Sequence, residues 1–253
     1  AASTRLSGDI QRSIDEGNGD GSTQVVGSVA TTMNTQTGTE AGRRLSETGV
    51  DKTAFRENLL DFVVGTSGTT SADPLATQQR SGVISTLVSN PNELSTGSMD
   101  KSSSLVDGLI ETTASGAGGT LAAGSGESML GAMGSILRGT NQAATAARMR
   151  KRERRRVRRL SELADHANVS VTSCGNLTIN NVTDGNSTLA CDGNATWTTD
   201  SDAEDDRLIQ EAVDRSNALR NSTGKLTGVL GSSVSNGEAP VSILSPDLSM
   251  RVG

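Results

Sequence analysis

Apolar residues along this chain fall in pairs three to four positions apart, most regularly between residues 73 and 111. Val83, Ile84, Leu87 and Val88 share one face of a helix of 3.6 residues per turn, and Leu105, Val106, Leu109 and Ile110 repeat the spacing. Asp73-Pro74 opens the first helix with an acceptor at the cap and a proline at the first helical position, where its missing N–H costs nothing. Asn90-Pro91-Asn92 ends it, because the residue before proline is pushed out of the α region. Ser95 is placed to cap the next helix. Two matching stripes joined by a short turn predict an antiparallel helix pair.

The same pattern, less complete, predicts further helices. Asp51 to Val64, capped by Asp51, sets Phe55, Leu59, Phe62 and Val63 on one face, the expected core of a bundle. Upstream, Thr4–Ile14 and Gln24–Met33 read as helices separated by a glycine-rich turn, Glu16-Gly17-Asn18-Gly19-Asp20-Gly21, which lacks the ligand spacing of a calcium loop. Ala114 to Gly126 reads as a flexible Gly/Ala/Ser/Thr linker without the Gly-Lys-Ser/Thr of a phosphate loop. Glu127 to Leu137 forms a short helix through Leu130, Met133, Ile136 and Leu137, with Gly139 expected to break it. Downstream, Leu208, Ile209, Ala212, Val213 and Leu219 mark a helix, Leu226, Val229 and Leu230 a further turn or two, and Pro240 to Val252 two short strands around Ser245-Pro246-Asp247.

Composition narrows what the core is made of. The 253 residues include two Phe, one Trp and no Tyr, against 29 Gly, so packing rests on Leu, Val, Ile, Met and Ala. The formal charge of −6 argues against nucleic acid as the main partner. No apolar run approaches the roughly 20 residues that cross a bilayer, so no membrane insertion is expected of this segment. Ala1-Ala2-Ser3, with neither an initiator Met nor a signal-peptide pattern, leads us to expect a processed product or a piece of a longer chain.

Charge is strongly uneven. From Gln142 a good helix-forming stretch runs into Arg150, Lys151, Arg152, Glu153, Arg154, Arg155, Arg156, Val157, Arg158 and Arg159. This run is open to three readings: a solvated helix face, a surface for an anionic glycan or acidic neighbour, or a cleavage site at Arg152–Arg155. It holds no aromatic residue for base stacking. An acidic run, Asp200 to Asp206, stands at the start of the last helix, where carboxylates suit the positive end of the helix dipole.

Between those runs lie sequons at Asn168, Asn176, Asn181, Asn186 and Asn194, with a sixth at Asn221. They crowd around Cys174 and Cys191, the only two cysteines, in a Thr/Val/Ile-rich stretch that suggests short strands. Two cysteines with the lone His166 cannot complete a zinc site, so a Cys174–Cys191 disulfide is expected, closing a loop for about 3 kcal/mol of chain entropy. Sequons and cysteines together point to an extracellular or cell-surface location with N-linked glycans. The expected fold is therefore mainly α: a helical bundle with a short disulfide-closed, glycosylated β-like loop and a C-terminal pair of β-strands. Its expected parts are a helical region at 1–170, the glycosylated insertion at 171–200, C-terminal helices at 201–235, and the start of a β-rich module at 236–253.

Gln78-Gln79-Arg80 leading to Ser89-Asn90-Pro91-Asn92-Glu93-Leu94-Ser95 and a Leu105–Ile110 helix resembles the receptor-for-egg-jelly region of polycystin-1-like proteins of algae and protists. Gly237-Glu238-Ala239-Pro240 followed by Ser245-Pro246-Asp247-Leu248-Ser249-Met250 resembles the passage from the helical part of a GAIN-type module into its β-sandwich. The resemblance implies a glycosylated, mainly helical ectodomain module of a receptor-like protein, often ciliary. No catalytic residue carries over, and the Arg-rich helix and dense sequons depart from the family.

Catalysis is not expected, since His166 has no nucleophile motif beside it and no cofactor site is recognisable. Two readings remain: an ectodomain stalk segment of a polycystin-1-like receptor in adhesion or mechanical coupling, or a secreted subunit of a glycoprotein filament such as a flagellar hair or cell-wall fibre. Expected partners are other extracellular modules or copies of the chain itself.

Overall fold

The computed structural model describes residues 8, 12, 16, 18–35, 51–68, 73–115, 121–167, 169–171, 177–179, 200–233, 241–244 and 248–252. Six α-helices are found among them: α1 (Gly19–Thr35), α2 (Lys52–Gly65), α3 (Pro74–Val88), α4 (Thr96–Ser115), α5 (Ala123–Ala167) and α6 (Asp200–Ser233). Strands β1 (Val169–Val171) and β2 (Leu177–Ile179) pair antiparallel, as do β3 (Val241–Leu244) and β4 (Ser249–Val252). The chain is mainly helical with a C-terminal strand pair, as its pattern predicts. Contacts divide it into two compact units, residues 1–140 with 215–253, and residues 141–214.

In the first unit the predicted signals do what their chemistry requires. Asp51 accepts from the N–H groups of Thr53 and Ala54, and Asp73 from that of Ala76 at 2.8 Å, ahead of Pro74. The Ser95 hydroxyl accepts from the Ser98 N–H at 2.9 Å and so caps α4. Val83, Ile84, Leu87 and Val88 are buried on α3, and Leu105, Val106, Leu109 and Ile110 on α4. These two helices pack on each other, and α1 and α2 pack on α3. Buried Leu130, Met133 and Ile136 of α5 and Leu219, Leu226 and Leu230 of α6 extend the aliphatic core. On the β3–β4 pair, Ile243 and Met250 stand opposite each other and are both buried; the Ile243 side chain and that of Leu230 close on the backbone at Gly126.

Three local expectations are corrected. The glycine-rich segment is not all turn: α1 starts at Gly19 because the Asn18 side chain accepts from the Gly21 N–H at 3.0 Å, an N-cap that tolerates glycine in the first turn. Gly139 does not end a helix but lies inside the 45-residue α5. A Cβ there would stand 3.0 Å from Met99 Sδ and 3.6 Å from the Pro91 carbonyl, so glycine allows close approach. Helix also covers both ends of the expected linker, since α4 runs to Ser115 and α5 begins at Ala123.

The buried face of α2 is turned from the one expected. Phe55 and Phe62 are half-buried, whereas Arg56, Leu59, Leu60 and Val63 are buried. Arg56 has 0% exposure and donates from Nε to Glu93 Oε2 at 2.8 Å, from Nη1 to the Leu87 carbonyl at 2.8 Å and from Nη2 to Asn34 Oδ1 at 2.6 Å. Asn34 in turn donates to the Thr86 carbonyl at 2.9 Å. The two residues thus meet carbonyls in the last turn of α3, where the Thr86 carbonyl also accepts from the Ser89 N–H and hydroxyl. A cation there also suits the negative end of the helix dipole.

Replacing Arg56 with Met is expected to cost about 3 kcal/mol in urea unfolding of the full chain, because Glu93, Asn34 and the Leu87 carbonyl each lose a charged donor. Two glycines give a test of opposite signs. A Cβ on Gly27 would stand 2.7 Å from Cγ2 of the stiff Val83 side chain, so Gly27→Ala should destabilise by about 1 kcal/mol despite its better helix propensity. Gly82 has open space for a Cβ, and Gly82→Ala should stabilise by about 0.5–1 kcal/mol.

Candidate functional site

The second unit contains the later part of α5, the early part of α6 and the β1–β2 pair. Here the basic run and the acidic run meet. Arg150 donates from Nε and Nη2 to Asp205 Oδ1 at 3.0 and 2.8 Å. One turn further, Arg154 donates from Nε to Asp202 Oδ1 at 2.6 Å and from Nη2 to Asp205 Oδ2. Lys151 pairs with Asp206. Higher numbers on α5 meet lower ones on α6, the order of an antiparallel pair.

Arg154 and Asp205 are each only 3% exposed at the side chain, so this pair lies beneath the surface. Burial alone raises the Asp205 pKa, but the hydrogen bonds and charges of Arg150 and Arg154 outweigh it and hold the carboxyl below its usual range. The acidic run is therefore more than a helix cap. Asp202, Asp205 and Asp206 are the partners of the basic helix, a role the sequence reading missed. The available signal was that two dense runs of opposite sign both sit on helices.

The remaining basic residues look elsewhere. Arg152, Arg155, Arg156 and Arg159 are exposed, and with Arg148 they recur at helical spacing along one stripe of α5. Arg158 lies on the same helix. Of the eight candidate cations, Arg150, Lys151 and Arg154 are engaged within the chain and Arg152, Arg155, Arg156 and Arg159 form an outward row. Such a row supplies the guanidinium forks that suit carboxylate or sulfate oxygens. It also leaves Arg152–Arg155 on a continuous helix, a conformation that has to open locally before a protease can take the strand.

Of the sequons, Asn221 is described: it is exposed on α6. Its neighbours are occupied by the fold, since the Ser222 hydroxyl donates to Asp107 Oδ1 at 3.0 Å and that of Thr223 to the Leu219 carbonyl at 2.8 Å. Asn168, Asn176, Asn181, Asn186, Asn194, Cys174 and Cys191 lie outside the described residues. So does the expected Ser245-Pro246-Asp247 turn. His166 is on α5. Among the described residues no group of His, Cys, Asp and Glu is arranged to hold a metal, and no helix is long and apolar enough to cross a membrane.

No protein family, no curated protein and no solved structure matches this chain.

The depressed Asp205 pKa has a definite sign. Its stabilising contribution is fully present above the unfolded carboxylate pKa of about 3.9 and is lost as pH falls through the lower folded value. Asp205→Asn should therefore destabilise the full chain by about 3 kcal/mol at neutral pH. The gap between variant and wild type should narrow when urea unfolding is repeated below about pH 4.

Proposed function

We propose that this chain is a non-enzymatic extracellular glycoprotein module, serving as a stalk or ectodomain segment of a polycystin-1-like receptor in adhesion or mechanical coupling at a cell or cilium surface. The observation that carries the proposal is the division of labour on α5. One face is locked to α6 through Arg150, Lys151 and Arg154, and the other presents an exposed arginine row. A helix fixed by ion pairs, one of them buried, keeps its outward face in register, which is what a docking surface needs.

Cross-linking between distant parts of the chain supports a load-bearing role. Arg215 holds Asp100 at 2.6 Å, and Lys225 holds Asp107 at 3.1 Å and Glu111 at 2.7 Å, so α6 is tied to α4 at successive turns. The six sequons and the cysteine pair support an oxidising, glycosylating compartment. An exposed Asn221 would carry its sugar outward from α6. The likeness to receptor-for-egg-jelly and GAIN-type helical regions supplies the receptor context.

One observation favours a second reading. The arginine row stands on a chain whose formal charge is −6, so copies of the molecule offer one another complementary surfaces, as a secreted filament subunit requires.

Electron microscopy of the secreted, glycosylated full chain at low and high concentration separates these. Discrete particles at both concentrations are expected for the receptor segment. Regular filaments that dissolve in Arg152→Glu/Arg155→Glu/Arg156→Glu material would replace it with the filament subunit. Mass spectrometry of the same unreduced protein should find Cys174 bridged to Cys191 and sugar on the clustered asparagines; free thiols and bare asparagines would end the extracellular proposal.

A further inference from the structure

Within the first unit a cleft of about 520 Å³ opens between the end of α2, α3 and α4. One wall is apolar, formed by Val64, Leu105 and Leu109 with the bare backbone of Gly108. Polar groups gather at Ser67, Arg80, Asp100 and Lys101. The volume is within the range of small-molecule sites, and an apolar wall with a few convergent polar groups is their usual make-up.

Most of the charges around this cleft are already matched. Asp100 accepts two hydrogen bonds from Arg215, from Nε at 2.8 Å and Nη2 at 2.6 Å. Lys101 is bound to Glu57 at 3.1 Å and to Asp61 at 2.7 Å, and these bonds, that to Asp61 first, raise its pKa. Arg80 is different. It is 8% exposed, its Nη2 donates to the Ser67 hydroxyl at 2.8 Å, and its buried Nε has no hydrogen-bond partner. Asp20 acts on it through space only, and burial pushes its pKa down. Arginine nevertheless stays charged at any physiological pH. The cleft therefore contains a buried cation with a spare donor and no bonded carboxylate, beside an apolar wall.

We propose that this cleft binds a small amphiphilic carboxylate, the head group meeting Arg80 and Ser67 and the hydrocarbon tail lying along Val64, Leu105, Gly108 and Leu109. The Arg80 guanidinium, which lines the cleft beside the Ser67 hydroxyl, supplies the charge-assisted donor that a carboxylate accepts. Asp100 would repel such a ligand if it were bare, but the two hydrogen bonds it accepts from the Arg215 guanidinium offset that charge. The apolar wall sets the preference for a tail over a simple inorganic anion.

Isothermal titration calorimetry of the full chain with decanoate below its micellar concentration tests this, with decan-1-ol and decyltrimethylammonium as matched probes. Saturable one-to-one binding of decanoate is expected, at least about tenfold tighter than the alcohol, with no binding of the cation. Gly108→Leu has open space for its Cβ and places a side chain at the cleft; it should weaken decanoate about tenfold while leaving the unfolding midpoint unchanged or raised. Arg80→Gln should abolish the preference for carboxylate over alcohol, and if that variant fails to fold, Gly108→Leu decides alone. Equal binding of acid and alcohol overturns the proposal. So does unaltered binding in Gly108→Leu, or the absence of a saturable heat with decanoate.

Discussion

Arg56 carries its charge to a place without solvent, and the packing of α1, α2, α3 and the short turn at Pro91–Glu93 depends on how that charge is met. Each of its three nitrogens goes to a different element: Glu93 beyond α3, the Leu87 carbonyl at the end of α3, and Asn34 near the end of α1. Burying an ion costs several kcal/mol, and that is offset only when attraction and hydrogen bonds are all supplied together. The three partners are therefore not independent. Moving any one of these elements away leaves either the guanidinium or a helix-end carbonyl unsatisfied, so a single side chain couples their positions.

The same logic recurs where α6 meets its neighbours. Its buried positions include Asp205, Arg215 and Ser222 beside Ala212, Leu219, Leu226 and Leu230. Each polar member has a partner from a distant stretch: Arg150 and Arg154 for Asp205, Asp100 for Arg215, Asp107 for Ser222. Apolar contacts supply the burial, and the polar members fix the register. Leucine alone would tolerate a slip of one turn, but Arg215 would then lose Asp100.

This is also where the sequence stopped being legible. Stripes made only of aliphatic residues were readable from spacing, and α3 and α4 followed theirs closely because the cap residues Asp73 and Ser95 agree with the stripe. On α2 the reading turned toward Phe55 and Phe62, since a buried arginine carries no apolar signal; Arg56 belongs to the core through bonds to residues 22 to 37 positions away. Gly139 read as a stop because a glycine that ends a helix and one that admits a neighbour look alike until Met99 and Pro91 are in place. In the candidate sites, the basic and acidic runs were each visible, but their pairing over 48 to 55 positions was not. Arg80 stood out only within Gln78-Gln79-Arg80, and nothing there marked it as a ligand group, because its significance lies in a donor left over after folding.

A chain with two phenylalanines, both only half-buried, and no tyrosine must define its core by something other than large rings. Hydroxyl side chains, common in these helices, mostly bond to the carbonyl one turn back: Thr23 to Gly19, Thr86 to Gly82, Ser102 to Ser98 and Thr223 to Leu219. Such bonds let small polar residues sit at buried positions without an orphaned group, though they add nothing specific between helices. Specificity then falls to the long-range ion pairs, which act only in one register. Their weakness is sensitivity to acid and salt where they reach the surface, as at Lys225, and their strength is that the buried members, Arg56 and Arg154, are shielded from screening. A chain built this way holds its shape through a few charged points, and the exposed arginines Arg152, Arg155, Arg156 and Arg159 stand on the face of α5 away from them.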